Sequence, residues 1–167
     1  LAKRGYNLTG IDLSENMLEI AKSKILKHTN IKDITLLKGD VNHLDFSDNT
    51  FDLATSSFGV RNFENLSLGL KETYRVLKPA GHCLILELSQ PKNLLIKTFY
   101  NFYSNKLIPF FGKLISKDKS AYSYLPNSVS AFPEGDEFIK ILNQVGFSNV
   151  YYKKFTFGIC NLYIAEK

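Results

Sequence analysis

The sequence predicts an α/β domain with a mainly parallel sheet and an antiparallel pair of strands at its C-terminal end. Short apolar stretches of strand length alternate along the chain with stretches of helical periodicity, a pattern typical of sheets covered by helices. The last two strand-like stretches, 147–155 and 157–165, lie too close together for a parallel crossover. The 167 residues, 44% of them hydrophobic, are enough for one sizeable core, so we expect a single domain over 1–167.

Each predicted element has local support. The first strand ends at Asp12, and Ser14 is suited to cap the helix that follows, whose apolar residues recur at helical spacing. A later helix stops where the turn-forming run Lys-Pro-Ala-Gly begins at Lys78. The predicted strands cover 8–12, 34–38, 51–58, 82–88, 147–155 and 157–165, and the predicted helices start at Ser14 and cover 64–77, 93–117 and about 135–145.

Charge and composition exclude few classes of protein. The net charge of +5 is compatible with an anionic partner, a membrane surface or nucleic acid, and selects none of them. The two cysteines and three histidines lack the spacing of a metal site or a disulfide framework, so we expect no metal and a reducing, cytoplasmic setting. No apolar run approaches the roughly 20 residues that span a bilayer.

Polar residues follow the predicted strands at their carboxyl ends, where ligands bind in open α/β sheets. Asp12 follows the first strand, Asp40 the second, and the run from Ser57 to Asn62 the third. An acid in the position of Asp12 is the usual partner of the two ribose hydroxyls of a nucleotide. Asp40 is suited to accept a hydrogen bond from an adenine amine. The alternative is that both acids only form turns.

Several short motifs together resemble one family. They are GIDLSENML, LKGDVNHLDFSDNTFD, SFGVRNFEN, RVLKPAG, LELSQP and AYSYLPNSVSAFP. The chain is similar, nearly end to end, to the ubiquinone/menaquinone biosynthesis C-methyltransferases, which methylate a ring carbon of a prenylated quinol with S-adenosylmethionine. SFGVRNFEN and AYSYLP are the most specific motifs, and Ala80-Gly81 stands where the family usually has two glycines. The resemblance implies the class I S-adenosylmethionine-dependent methyltransferase fold, a Rossmann-like sheet with a C-terminal antiparallel hairpin.

The resemblance also implies cofactor contacts by position. Asp12 would hold the ribose of S-adenosylmethionine, Met17 would pack near the adenine, and Asp40 with Val41 would meet the adenine edge. Ser57 matches a further cofactor-contacting position. Periodicity alone indicates instead that Met17 belongs to the inner face of an amphipathic helix.

Methylation of a ring carbon requires that the carbon be nucleophilic, which a neighbouring hydroxyl achieves when it loses its proton. A buried cation lowers the pKa of that phenol, and a hydrogen-bond donor stabilises the phenolate. The resemblance implies these roles for Arg61 and Asn62, with Tyr122 as a substrate-side phenol. The alternatives are a structural ion pair for Arg61 and lid packing for Tyr122. Glu87 is a candidate general base or a hydrogen-bonding support.

The stretch 94–116 is basic and aromatic, and no acid occurs between residues 88 and 117. It suits an anionic lipid surface or a prenyl tail, or it is a helix that covers the sheet. We expect a prenylated quinol as the substrate and a peripheral contact with the inner face of the membrane through 94–116. Nucleic acid is not an expected partner, because the run from Ser57 to Gly59 lacks the Asn/Asp-Pro-Pro-aromatic motif of amino-directed nucleic-acid methyltransferases.

The family's fold places a strand and a glycine-rich loop before the ribose acid, and Asp12 comes early in this chain. We therefore expect a domain that is partial at the N-terminus and lacks the first strand and the glycine loop. That strand would belong between the strands that end at Asp12 and near Phe58. The alternatives are a non-catalytic part of such an enzyme, a different methyltransferase, or a nicotinamide dehydrogenase.

Overall fold

The structure is a computed structural model that describes residues 1–27, 33–91 and 128–167, together with Thr98. Its described α-helices are α1 (Glu15–Leu26), α2 (Leu66–Val76) and α3 (Asp136–Val145). Its described strands are β1 (Leu8–Asp12), β2 (Ile34–Lys38), β3 (Phe51–Ser57), β4 (Leu77–Leu88), β5 (Ser148–Phe155) and β6 (Cys160–Glu166). The alternation confirms the predicted α/β class. The helix predicted over 93–117 lies outside the described residues, apart from Thr98.

The described strands form two sheets. β1 pairs with β2 in parallel, and the second sheet has the order β3-β4-β6-β5. In this second sheet β3 and β4 are parallel, whereas β6 is antiparallel to both β4 and β5. The predicted antiparallel pair at the C-terminal end is therefore confirmed. Within the described residues β1 pairs on one edge only, and so does β3; the strand expected between them stays a prediction.

The junction between β1 and α1 forms as the sequence predicts. The Asp12 carboxylate accepts a hydrogen bond from the Ser14 backbone N–H at 2.8 Å, which closes the turn after the strand. The Ser14 hydroxyl accepts a hydrogen bond from the Met17 backbone N–H at 3.4 Å and so satisfies one of the free donors at the start of α1. The chain therefore passes from β1 into α1 through a short turn.

β4 begins earlier than predicted, because the turn-forming run lies inside the strand as a bulge. Phe51 of β3 pairs with Leu77, but the next pair along β3 already involves His82, so residues 78–81 loop out of the ladder. Within this bulge Ala80 has a left-handed φ of 62°, a conformation that costs an L-residue about 1 kcal/mol. The predicted turn is present, although it does not delay the start of the strand.

β6 begins later than predicted, at Cys160. The preceding residues Thr156, Phe157 and Gly158 have positive φ values of 49°, 57° and 91° and form a tight turn. Threonine and phenylalanine rarely adopt this conformation, and Phe157 is also 83% exposed. The tip of the β5–β6 hairpin is therefore strained and carries an exposed aromatic ring.

A core cluster lies between the four-stranded sheet and helices α2 and α3. Its members include alternate residues of β4 and β6 and apolar residues of α3, namely Cys83, Ile85, Tyr163, Ala165, Phe138 and Leu142. Glu87 and Asn161 pair directly across β4 and β6 and continue the same inward-facing rows. They are only 0% and 4% exposed. Polar groups buried in this way require hydrogen-bond partners, so the surroundings of Glu87 and Asn161 are a candidate functional site.

Candidate functional site

Asp12 and the loop after β2 meet at the carboxyl end of the first sheet. The Gly39 backbone N–H donates to the Asp12 carbonyl oxygen at 3.2 Å. Glycine is required for this approach, because an added Cβ at Gly39 would lie 2.9 Å from Cγ2 of Ile11. The Asp12 side chain is exposed and so is Met17, at 53%, whereas Leu18 is the buried residue of α1. An exposed acid at the end of β1 and an exposed thioether in the first turn of α1 therefore lie on either side of the strand–helix junction.

The turn after β2 contains Asp40 and Val41. The Asp40 carboxylate accepts a hydrogen bond from the Asn42 backbone N–H at 2.8 Å, and Asp40 forms a backbone bridge with His43. Val41 packs on α2 at Gly69, where an added Cβ would lie 3.2 Å from Cγ1 of Val41. The side-chain oxygen of Asn42 is buried and has no hydrogen-bond partner among the described residues. The turn thus holds a buried acceptor that receives no hydrogen bond from residues 1–27, 33–91 or 128–167.

Arg75 of α2 holds the loop after β2 against that helix. Its guanidinium donates to the carbonyl oxygens of Leu44 at 2.8 Å and Phe46 at 2.7 Å and pairs with the carboxylates of Asp48 and Glu72. Glu72 in turn accepts the Leu44 backbone N–H at 2.9 Å. The hydrogen bond from Arg75 lowers the pKa of Glu72 to about 2. The Glu72–Arg75 pair was not predicted from the sequence. Its signal there, an acid and a base three residues apart on a helix, is weak.

Arg61 lies in the Val60–Asn62 turn and pairs with Glu87 at the end of β4. Its Nη1 is 2.9 Å from one Glu87 carboxylate oxygen, and its backbone N–H donates to the other at 3.2 Å. The two side chains are 10% and 1% exposed, so this ion pair is almost fully desolvated and depends on its hydrogen bonds. The Arg61 Nε is buried and has no partner among the described residues. Within the described part of the chain, one donor of the cation is therefore unpaired.

The Phe58 carbonyl oxygen brings Arg61 and Asn62 together. It accepts hydrogen bonds from Nη1 of Arg61 at 2.5 Å and from Nδ2 of Asn62 at 3.5 Å. Phe58 has a left-handed φ of 59°, and its backbone N–H donates to the Leu86 carbonyl at 2.8 Å. Strained non-glycine residues of this kind cluster at functional sites. Ser57, directly before this residue, is exposed at the end of β3.

The structure thus groups the predicted residues in two places. Asp12, Met17, Asp40 and Val41 lie at the end of the first sheet. Ser57, Arg61, Asn62 and Glu87 lie at the same carboxyl end of the second sheet, and no hydrogen bond joins Arg61 to Asp12 or Asp40 in the described parts of the chain. Glu87 accepts hydrogen bonds from Arg61, so Arg61 takes part in the structural ion pair that was the alternative. Its buried Nε has no partner among the described residues. Tyr122 and the stretch 94–116 lie outside the described residues.

A cavity of about 210 Å³ adjoins this second group and was not predicted. It lies between the end of β4, the residues before α3 and the β5–β6 hairpin, and its lining includes Glu134, Tyr152, Lys154, Phe157 and Asn161. A signal for it was present in the sequence: Asn161 interrupts an alternation of apolar inward-facing residues in β6.

Over residues 1–27, 33–91 and 128–167 no three His, Cys, Asp or Glu side chains are grouped as metal ligands. None of the helices in the described part of the chain is both long and apolar enough to cross a membrane.

Comparison with known proteins identifies the family of the chain. The chain matches the ubiE/COQ5 methyltransferase family over residues 1–167. It is 47% identical over 160 residues to a demethylmenaquinone methyltransferase of Bacteroides fragilis, covering 96% of this chain and 65% of that protein. It is 43% identical to a ubiquinone/menaquinone biosynthesis C-methyltransferase of Geotalea daltonii, covering 96% of this chain and 68% of that one.

The fold is also similar to that of solved structures. A SAM-dependent methyltransferase from Methanosarcina mazei superimposes with a TM-score of 0.65 at 21% identity, covering 99% of this chain and 84% of the other. This likeness confirms the class I methyltransferase fold. The chain spans about two thirds of the length of the curated relatives. On the strength of the family match and of these identities, the chain belongs to the ubiE/COQ5 methyltransferase family.

Proposed function

We propose that the protein containing this chain transfers a methyl group from S-adenosylmethionine to a ring carbon of a prenylated quinol in respiratory quinone biosynthesis. The observation that carries the proposal is the desolvated Arg61–Glu87 pair, which leaves Nε of Arg61 without a partner in the described structure. It lies at the edge of the sheet where ligands bind in this fold. The names of the relatives favour demethylmenaquinol as the acceptor, with the ubiquinol precursor as the second candidate.

The residues at the end of the first sheet fit the adenosine part of the cofactor. The exposed Asp12 carboxylate is suited to accept hydrogen bonds from both ribose hydroxyls. No described residue donates to the side-chain oxygen of Asn42, and Asp40 and Val41 lie in the same turn, so this turn fits the amine-bearing edge of an adenine. Exposed Met17 offers a polarisable surface to the ring. Ser57, exposed at the end of β3, would contact the cofactor from the second sheet.

S-Adenosylmethionine, when bound, supplies a methyl group that is already activated. The task left to the chain is to hold the quinol ring and to stabilise negative charge on the hydroxyl beside the reacting carbon. Arg61 meets this requirement, because Glu87 fixes one side of its guanidinium and leaves Nε to donate. A preorganised donor in a site shielded from water stabilises developing charge more than a solvated one does. Asn62, on the same turn, and Tyr122 would orient the quinol.

The expected contact of residues 94–116 with lipid and the expected location at a membrane belong to the same proposal. Residues 94–116 would contact the prenyl tail or the lipid surface from which the quinol is drawn, since they combine lysines with aromatic residues and contain no acid. This contact would place the protein at the cytoplasmic face of a membrane without spanning it.

The direct test is transfer of labelled methyl from S-adenosylmethionine to demethylmenaquinol and to the ubiquinol precursor by the full-length protein. The Arg61→Met, Glu87→Leu double variant removes the cation without leaving a buried charge unpaired, a replacement that is often neutral for stability. We expect turnover to fall by about 30- to 1000-fold, corresponding to ~2–4 kcal/mol of lost charge stabilisation. Affinity for S-adenosylmethionine should stay unchanged. Unchanged turnover in a folded double variant would remove Arg61 from the chemistry, and the absence of transfer by the wild type to either quinol would overturn the proposal.

A further inference from the structure

The cavity beside β4 has walls of two kinds. Tyr152 and Phe157 contribute aromatic rings, and Glu134, Lys154 and Asn161 contribute polar groups. Its volume of about 210 Å³ is somewhat larger than the roughly 150 Å³ of an engineered cavity that binds benzene. The cavity is therefore of a size for one substituted aromatic ring.

Asn161 is the polar group with an unmet requirement. It is 4% exposed, and its Nδ2 donates to the Tyr163 hydroxyl at 3.3 Å. The same hydroxyl accepts the Gly135 backbone N–H at 2.7 Å, so the amide is held from one side. Its Oδ1 is buried and has no hydrogen-bond partner in the described structure. A buried acceptor in this state costs about 1–3 kcal/mol until a donor reaches it.

Phe157 is the second unusual residue of this cavity. Its side chain is 83% exposed although its backbone has a φ of 57° that glycine or asparagine would adopt at lower cost. Nothing in the described fold is gained from an exposed phenylalanine at this position. A ring that stacks on a ligand accounts for both the strain and the exposure.

The position of the cavity connects it to the candidate chemistry. Asn161 lies directly across the ladder from Glu87, so both side chains are on the same face of the sheet. Glu87 holds Arg61 at 2.9 Å. Asn161, which lines the cavity, is therefore the cross-strand neighbour of the carboxylate that holds the cation.

We infer that this cavity binds a hydroxylated aromatic ring, with Asn161 Oδ1 accepting a hydrogen bond from a ring hydroxyl and Phe157 stacking on the ring face. The naming of that ring as a hydroquinone rests on the proposed function. The contact to Asn161 selects for the reduced ligand, because a hydroquinone hydroxyl can donate a hydrogen bond and a quinone carbonyl or an aryl ether oxygen has no proton to donate. The cavity would discriminate against an ether or a quinone, because either ligand would leave Asn161 Oδ1 without a hydrogen bond.

The test is ligand titration of the isotope-labelled full-length protein, without S-adenosylmethionine and under argon, followed by NMR. The probes are hydroquinone and 1,4-dimethoxybenzene, which differ in their ability to donate. We expect hydroquinone to shift the side-chain amide resonances of Asn161 and to bind about 5- to 10-fold more tightly than the ether. Equal affinities, or resonance shifts confined to other parts of the protein, would mean that only water satisfies Asn161.

Two variants separate binding from structural support. Phe157→Gly relieves the left-handed strain, so we expect a higher urea midpoint together with about 5- to 10-fold weaker binding of both probes. A gain in stability without loss of binding would make Phe157 a turn residue only. Asn161→Leu should abolish the preference for hydroquinone over the ether. Tyr163→Phe removes the hydroxyl that accepts from Asn161 Nδ2 but leaves Oδ1 in place, so this variant should retain the preference.

The outcomes for this cavity and for the proposed function can be told apart. Hydroquinone binding at Asn161 in a protein that transfers no methyl group would leave the cavity assignment standing and overturn the proposed function. Methyl transfer by a protein in which neither probe perturbs Asn161 would support the proposed function and overturn the cavity assignment.

Discussion

Replacing Glu87 by glutamine tests whether the counter-charge of Arg61 is truly desolvated. Glu87→Gln keeps the shape of the side chain and one carbonyl oxygen, but removes the charge opposite a guanidinium that is 10% exposed. Breaking a buried pair by removal of one partner costs about 3–5 kcal/mol. Because the remaining oxygen can still accept one of the two Arg61 hydrogen bonds, we expect the lower end, about 3 kcal/mol.

The assay is urea unfolding of the full-length protein. With a slope of about 1–3 kcal/mol per molar urea, this loss lowers the midpoint by roughly 1–3 M. The matched control is Asp52→Asn, which removes the partner of Lys78 in a pair whose side chains are 84% and 44% exposed. Exposed ion pairs contribute little to stability, so the control should have the same urea midpoint as the wild-type protein.

Stability and turnover should fall together in Glu87→Gln, since the unsupported guanidinium loses its fixed orientation as well as its counter-charge. A midpoint equal to that of the Asp52 control would refute the reasoning. It would mean that water reaches the Arg61–Glu87 pair, and that the argument for a preorganised cation at this position is wrong.

Three smaller predictions concern the support of the site. Ala80→Gly should raise the free energy of unfolding by about 1 kcal/mol, measured by urea unfolding, because φ at this bulge is 62°. Gly69→Ala should lower it by about 1–3 kcal/mol, since the new Cβ would lie 2.6 Å from a ring carbon of Phe63; retention of wild-type stability would show that α2 can shift freely. Arg75 depresses the pKa of Glu72 from 4.5 to about 2, so its contribution to stability is present above pH 4.5 and is lost as the pH falls towards 2. A series of urea midpoints should therefore show the difference between wild type and Glu72→Gln shrinking over that range.

Local patterns predicted the elements well where one signal dominates. β1 and β2 have the predicted bounds, because each is an apolar stretch closed by turn chemistry at Asp12 or Gly39. The start of β4 was wrong, since a turn-forming run can bulge out of a ladder whose pairing depends on a strand distant in sequence.

The site was predicted in part, for a similar reason. The family resemblance implied a functional role for Arg61, and that role stays a prediction. Its partner Glu87 comes 26 residues later, and only the fold identifies this pairing. The cavity was not predicted, since its lining combines the residues directly after β4 with residues of β5, β6 and the segment before α3. The interrupted alternation at Asn161 indicates only one of its walls. The roles of the cofactor-site residues, of Tyr122 and of 94–116 stay predictions.

The attachment of the loop after β2 to α2 has a consequence for energetics. Arg75 holds the carbonyl oxygens of Leu44 and Phe46, so residues 40–48 have little stability apart from the helix. The loop and α2 then open together as one cooperative unit. Hydrogen exchange should give the same free energy of opening for the amides of both. Any ligand that binds the Asp40 turn must slow amide exchange throughout α2, and by reciprocity any change that loosens α2 weakens that ligand by the same factor.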